Sequence, residues 1–143
     1  MYRQRNISVS EYREMLKKQK KSWTSAKKTT TALGKFDSGF EATCRDDLEL
    51  MLKAGEFVEI ENHYRIDIPI YRKDGTVSSI VHHKVDFRCT RPDGSYLLVE
   101  AKGREFDDWK WRKRLLEEVW LPENLDHEYE VWKDNRKYRR GRR

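Results

Sequence analysis

The 143 residues suit one domain, at roughly 100–200 residues per domain, and 39% are charged against 36% hydrophobic. Set against the usual figures of about 25% and 45–50%, this is a chain with much surface around one modest core. No run of about 18 apolar residues exists to span a membrane. No apolar leader follows the first residues, and Cys44 and Cys89, with no CxxC and no Cys/His cluster, argue against a zinc site or a disulfide scaffold. An intracellular, cytoplasmic protein under reducing conditions is expected.

The net charge of +6 is unevenly spread. Residues 1–34 hold nine Lys/Arg against Glu11 and Glu14, including the run Lys17, Lys18, Lys20 and Lys21. Within this arm, Ser8-Val9-Ser10-Glu11 has capping-box spacing, and Tyr12, Met15, Leu16 and Trp23 form an apolar stripe, so a helix is expected over 8–22. Residues 24–35, with the Thr29–Thr31 run, read as a linker. Residues 1–35 are therefore assigned to a basic helix and linker, 36–132 to the main domain and 133–143 to a basic tail.

A second helix is expected over about 39–54, capped by Ser38 and ended by Gly55, with Phe40, Cys44, Leu48, Met51 and Leu52 on one face. Residues 56–61 are weakly strand-like. Tyr64, Ile66, Ile68 and Ile70 alternate with polar or exposed positions as a half-buried strand does, and Pro69 argues for an edge position or a bulge. A turn at 73–76 leads to strands over 77–90 and 95–102, then a helix over about 105–120 and a last strand at about 128–132. This order predicts an α+β fold, an α/β/α sandwich with a mixed sheet. The tail holds seven Lys/Arg against Asp134, whereas residues 35–132 hold 15 against 22 Asp/Glu. An acidic body thus carries two basic arms, which suit phosphate backbones. Neither has the apolar face that a membrane surface would call for.

Pro92-Asp93-Gly94 suits a three-residue hairpin loop, which makes Arg91 face Ser95. Continued along the strands, that register pairs Phe87 with Val99, Asp86 with Glu100, Val85 with Ala101 and Lys84 with Lys102. Phe87, Val85, Cys89, Leu97, Val99 and Ala101 then share a core face, and Asp86 opposes Glu100 on the other. Opposed like charges are destabilising. Either a cation lies between them, with Lys102 beside it, or the four charges form a surface quartet of diagonal bridges.

Val85-Asp86 and Glu100-Ala101-Lys102 resemble the signature of the PD-(D/E)XK nuclease superfamily, with Val85 where a Pro is usual. Phe36-Asp37-Ser38-Gly39-Phe40-Glu41 is similar to the start of the helix that precedes that hairpin. From about Gly34 to Trp132 the chain resembles small phage-encoded endonucleases and Holliday junction resolvases of this superfamily. The resemblance implies a restriction-endonuclease-like fold and metal-dependent hydrolysis of DNA in a prokaryotic cell. It implies Mg²⁺, or Mn²⁺, held by Asp86, Glu100, the Ala101 carbonyl and Glu41. Glu41 also has capping-box spacing from Ser38. Lys102 would orient the attacking water and neutralise charge developing on the phosphate.

Lys84 and the arm residues Lys17, Lys18, Lys20, Lys21, Arg136, Lys137, Arg139, Arg140, Arg142 and Arg143 would grip the DNA backbone. Contacts of that kind give affinity without base readout, which favours branched DNA over a sequence. Cutting a junction on two strands calls for a homodimer, with helix 8–22 either its contact element or packed on its own domain. The other readings are a nicking or end-processing nuclease, or a non-catalytic DNA-binding protein on such a fold. Of the remaining candidates, His83 is expected to pack and His82 to face substrate. Asp107 and Asp108 suit a helix N-terminus, Trp109 the core and Trp111 the surface, and Tyr138 could stack on a base.

Overall fold

The computed structural model describes residues 28–134 and, before them, Ser10 and Glu14, both helical and exposed. The rest of the expected helix 8–22 and tail residues 135–143 lie outside the described residues. Over residues 28–134 the fold is α+β: a two-stranded hairpin, a four-stranded mixed sheet and two α-helices, which fits a restriction-endonuclease-like architecture.

The expected linker is not one. Thr29–Thr31 (β1) and Gly34–Phe36 (β2) pair antiparallel, because β-branched threonines suit a strand and Phe36 has a core to enter, being buried. Gly34 makes the close approach. Its φ is +142°, and a Cβ there would meet Asn62 Nδ2 at 2.8 Å. That amide donates to the Leu33 carbonyl at 2.8 Å, while its oxygen accepts from Arg45 Nε at 3.0 Å, so Asn62 ties the hairpin to the domain.

Helix α1 spans Gly39–Lys53. The Glu41 N–H donates to Ser38 Oγ at 3.1 Å. At the other end Gly55 N–H reaches the Leu52 carbonyl and Glu56 N–H the Met51 carbonyl, a Schellman ending. Strand β3 (Glu59–Tyr71) joins the two expected segments into one. It is an edge strand, with a register shift between Ile70 and Tyr71, and so accommodates Pro69 in both expected ways. Strands β4 (Val77–Thr90) and β5 (Tyr96–Lys102) meet across the predicted loop. Arg91 N–H donates to the Ser95 carbonyl at 2.8 Å, and Gly94 takes φ +87°, the left-handed position such a loop requires. The expected helix over 105–120 is α-helical only over Asp107–Leu115 (α2). A π-turn at Leu116–Trp120 and a 3₁₀ turn at Leu121–Glu123 follow. Strand β6 (His127–Lys133) then returns parallel to β5, giving the order β3-β4-β5-β6.

Two hydrophobic clusters fill the faces. One joins Phe36, Cys44, Leu48, Phe87, Cys89, Leu97 and Val99 under α1. The other joins Ile66, Ile68, Val85, Leu98 and Leu116 under the π-turn. Val85 is therefore not on the Phe87 face, contrary to strict alternation. Its partner strand makes the same crossing: Ile60 packs in the first cluster and Tyr64 in the second. Between them His63 has φ +57°, and one left-handed residue breaks the period of two on which alternation rests.

Gly34→Ala should destabilise the domain by roughly 1–3 kcal/mol, since it imposes a strained φ and a clash on the Asn62 amide. Urea denaturation checks this, and an unchanged midpoint would show that the hairpin is not held by Asn62.

Candidate functional site

The ladder between β4 and β5 ends at the Phe87–Val99 pair. The expected pairs Asp86–Glu100, Val85–Ala101 and Lys84–Lys102 do not follow it. The Asp86 carboxylate replaces the next rung, accepting from Ala101 N–H through Oδ2 at 2.7 Å. A buried N–H needs an acceptor, and the side chain supplies one where the strands part.

Glu41, from the first turn of α1, comes to this opening. Its Oε2 accepts from Asp37 N–H at 3.1 Å, and its Oε1 is buried without a hydrogen-bond partner. Capping by Ser38 and presentation of a free carboxylate oxygen therefore coexist, since the cap uses the Glu41 backbone N–H. His63 Nδ1 lies 3.6 Å from Oε1. Glu41, His63 and Asp86 each offer a ligand atom within 4.8 Å of the others, a grouping able to hold a metal ion. Asp37, Ser38, Ala101 and Lys102 line the groove beside Glu41 and Asp86.

Glu100 stands outside that group. Its Oε2 accepts from the Tyr129 hydroxyl, and its Oε1 lies 3.3 Å from His83 Nε2 and 4.0 Å from Lys102 Nζ. It is nearly fully buried, at 2% exposure. The expected opposition of Glu100 to Asp86 across the ladder is thus corrected: the ladder ends before that pair, and Glu100 is turned toward α2. His83 is buried as expected, and Trp109 is in the core while Trp111 is exposed. His82 is exposed and held by Asp67 at 2.6 Å. Lys102 stacks its ammonium 4.9 Å from the Trp109 ring centroid. It also lines a second, basic cleft with Arg65, Lys84 and Arg112.

The carboxylates are poised differently. Burial, reinforced by the Glu41 charge, pushes the Asp86 carboxyl up to about 7. Burial also raises Glu41, against the Asp37 N–H and His63. Burial acts on Glu100 too, but hydrogen bonds from His83 and Tyr129 outweigh it and hold that carboxyl below its usual range. A groove that gathers two buried carboxylates, with Lys102 as the ammonium in its lining, is suited to a further cation.

Neither the hairpin register nor a known spacing pointed to His63. Asn62 and His63 fell between two strand-like runs. Their signal is weak: an Asn-His dipeptide interrupting an alternating strand, both residue types being tolerant of the left-handed region.

A family model described as "Protein of unknown function (DUF1064)" matches residues 11–135, and the chain belongs to that family. No curated protein and no solved structure matches it. No helix among the described residues is long and apolar enough to cross a membrane.

Folded, Asp86 keeps its proton to about pH 7, against 3.8 for a free aspartate. Its contribution to stability is therefore fully present below about pH 4 and lost as pH rises through 7. Asp86→Asn keeps an acceptor for Ala101 and removes the buried charge. It should raise stability by on the order of 2–4 kcal/mol at pH 8 and by little at pH 4.5. Comparison with the wild type isolates Asp86 from Glu100, whose lowered carboxyl acts with the opposite sign. Equal stability of the two proteins at pH 8, measured by denaturant titration, would refute this.

Proposed function

We propose that this chain is a metal-dependent DNA endonuclease of the PD-(D/E)XK type, selective for branched DNA such as a four-way junction. The observation that carries the reading is the opening in the β4–β5 ladder. There the Asp86 carboxylate and the unpartnered Glu41 oxygen converge beside Ala101 and Lys102. The fit to a divalent cation rests on that orphaned buried oxygen and on the oxygen-rich donor set, which suits Mg²⁺ or Mn²⁺.

Glu41 and Asp86 would hold the ion, with the Ala101 carbonyl adjoining. A divalent cation there polarises a phosphodiester and acidifies an attacking water. Lys102 is fixed between Glu100 and the Trp109 ring, and its ammonium would neutralise charge developing on the phosphoryl oxygens. Arg65, Lys84 and Arg112 in the basic cleft, with the two basic arms, would hold the DNA backbone on either side. A second copy of the chain would supply the cut on the other strand of a junction. Two buried free cysteines fit a reducing compartment, the cytoplasm of a prokaryotic cell.

The test offers a four-way junction, a linear duplex and a single strand, with and without Mg²⁺ or Mn²⁺. Cleavage should need the ion and favour the junction. Asp86→Asn should abolish it, and Lys102→Ala should lose most turnover while retaining DNA binding. Glu41→Gln should impair cleavage more than Ser38→Ala; the reverse order would make Glu41 a capping residue only. Ion-dependent DNA binding with no cleavage of any substrate would favour a non-catalytic binding protein instead.

Removing residues 133–143 should weaken binding to every DNA and flatten its dependence on salt, because Arg136, Lys137, Arg139, Arg140, Arg142 and Arg143 offer phosphate contacts rather than base contacts. A slope of affinity against salt that matches the full chain would exclude the tail from the interface.

A further inference from the structure

His63 is the single described residue other than glycine with a positive φ, +57°. Non-glycine residues seldom occupy that region, and they persist there where surroundings over-determine them. The two ring nitrogens have different surroundings. Nε2 lies 2.9 Å from the Lys35 carbonyl oxygen, which can only accept, so Nε2 carries a hydrogen. In the neutral ring Nδ1 then presents a lone pair. Nδ1 is buried without a hydrogen-bond partner, as is Glu41 Oε1 opposite it at 3.6 Å. Two acceptors facing each other in a buried site are unfavourable unless something positive lies between them. Asp86 completes the group, with Oδ2 committed to Ala101 N–H and Oδ1 left over.

We infer that His63 contributes a nitrogen ligand, through Nδ1, to a divalent cation shared with Glu41 and Asp86, and that this centre selects a transition-metal ion such as Mn²⁺ over Mg²⁺. The inference rests on the cation centre of the nuclease reading and narrows its metal. The Lys35 carbonyl is the outer partner that a ligating histidine usually has, fixing tautomer and ring orientation. Lys35 is itself held, because β2 pairs with β1 and the Leu33 carbonyl, two residues before it, accepts from Asn62. Imidazole suits first-row transition ions, whereas Mg²⁺ is best served by oxygen ligands and retained water. A proton on Nδ1, making His63 and Glu41 an ion pair, is the competing occupant of the gap.

The full chain, freed of metal, is titrated with Mn²⁺ and followed by electron paramagnetic resonance, in the wild type, His63→Asn and Asp86→Asn. Asparagine tolerates the left-handed region and, though too short to reach the Lys35 carbonyl, leaves the hairpin tied through Asn62. The wild type should hold a single Mn²⁺ whose spin-echo spectrum shows coupling to a directly bound ¹⁴N. His63→Asn should lose that coupling and roughly 10–100-fold in Mn²⁺ affinity, with a smaller loss for Mg²⁺ measured by competition. Should His63→Asn fail to fold, ¹⁵N-histidine labelling of the wild type decides, since the coupling must then change with the label. Bound Mn²⁺ without nitrogen coupling, or coupling that survives in His63→Asn, overturns the inference and leaves a carboxylate-only nuclease centre standing. No Mn²⁺ binding by the wild type, with Asp86→Asn indistinguishable from it, overturns both.

Discussion

The hydrogen bond from Ala101 N–H to the Asp86 carboxylate lets two strands separate without leaving a buried donor unpaired. Above it the β4–β5 ladder is regular to Phe87 and Val99; below it the backbones no longer pair. A carbonyl on a straight strand would have closed the sheet there. A side-chain acceptor keeps Ala101 satisfied while opening a gap into which α1 projects Glu41. The consequence is electrostatic. An aspartate drawn in from solvent, beside a second carboxylate, is only about half ionised at pH 7.

That opening lies on the line where the sheet exchanges its faces. Phe87 belongs to the cluster under α1 and Val85 to the cluster under the π-turn, so the chain crosses between them at Asp86. On β3 the crossing is made at His63. Glu41 therefore reaches the gap from the α1 face, while Glu100 is turned to the α2 face among His83, Tyr129 and Lys102. Three carboxylates thus stand close together in different states. Glu100 is stabilised as an anion by its donors, whereas Glu41 and Asp86 are pushed toward the neutral form by burial. Environment rather than residue type divides their roles.

What the sequence made legible was local. Ser38 and Gly55 bracket α1, the alternation of Tyr64 to Ile70 marks a half-buried strand and Pro69 its edge position, and Pro92-Asp93-Gly94 fixes the register as far as Phe87–Val99. Each depends on a few neighbouring residues and on turn or cap chemistry. Beyond that rung the same arithmetic failed, because it assumes that the ladder continues and that side chains keep alternating. The Thr29–Thr31 strand escaped notice because its partner is three residues long and its anchor, Asn62, is 33 positions away from Thr29. His63 escaped because its place is defined by three separate elements: the Lys35 carbonyl from β2, Glu41 from α1 and Asp86 from β4. Periodicity along one strand carries none of that information.

The same geometry bears on how an acidic body would approach a polyanion. Residues 35–132 carry more Asp/Glu than Lys/Arg, which taken alone repels phosphates at distances within a Debye length. On the proposed reading, attraction and chemistry are separated in space. The basic arms and the Arg65, Lys84 and Arg112 cleft attract the backbone, and the acidic opening lies across Lys102 from that cleft. Without a cation, protonation of Asp86 already reduces the opening's charge near pH 7; with one, the carboxylates ionise and the ion reverses the local sign. Lys102, touching both cavities and steadied by the Trp109 ring, is where a phosphate could pass from the attracting surface to the reacting one. A residue with that position need not add affinity, and its contribution would appear in turnover.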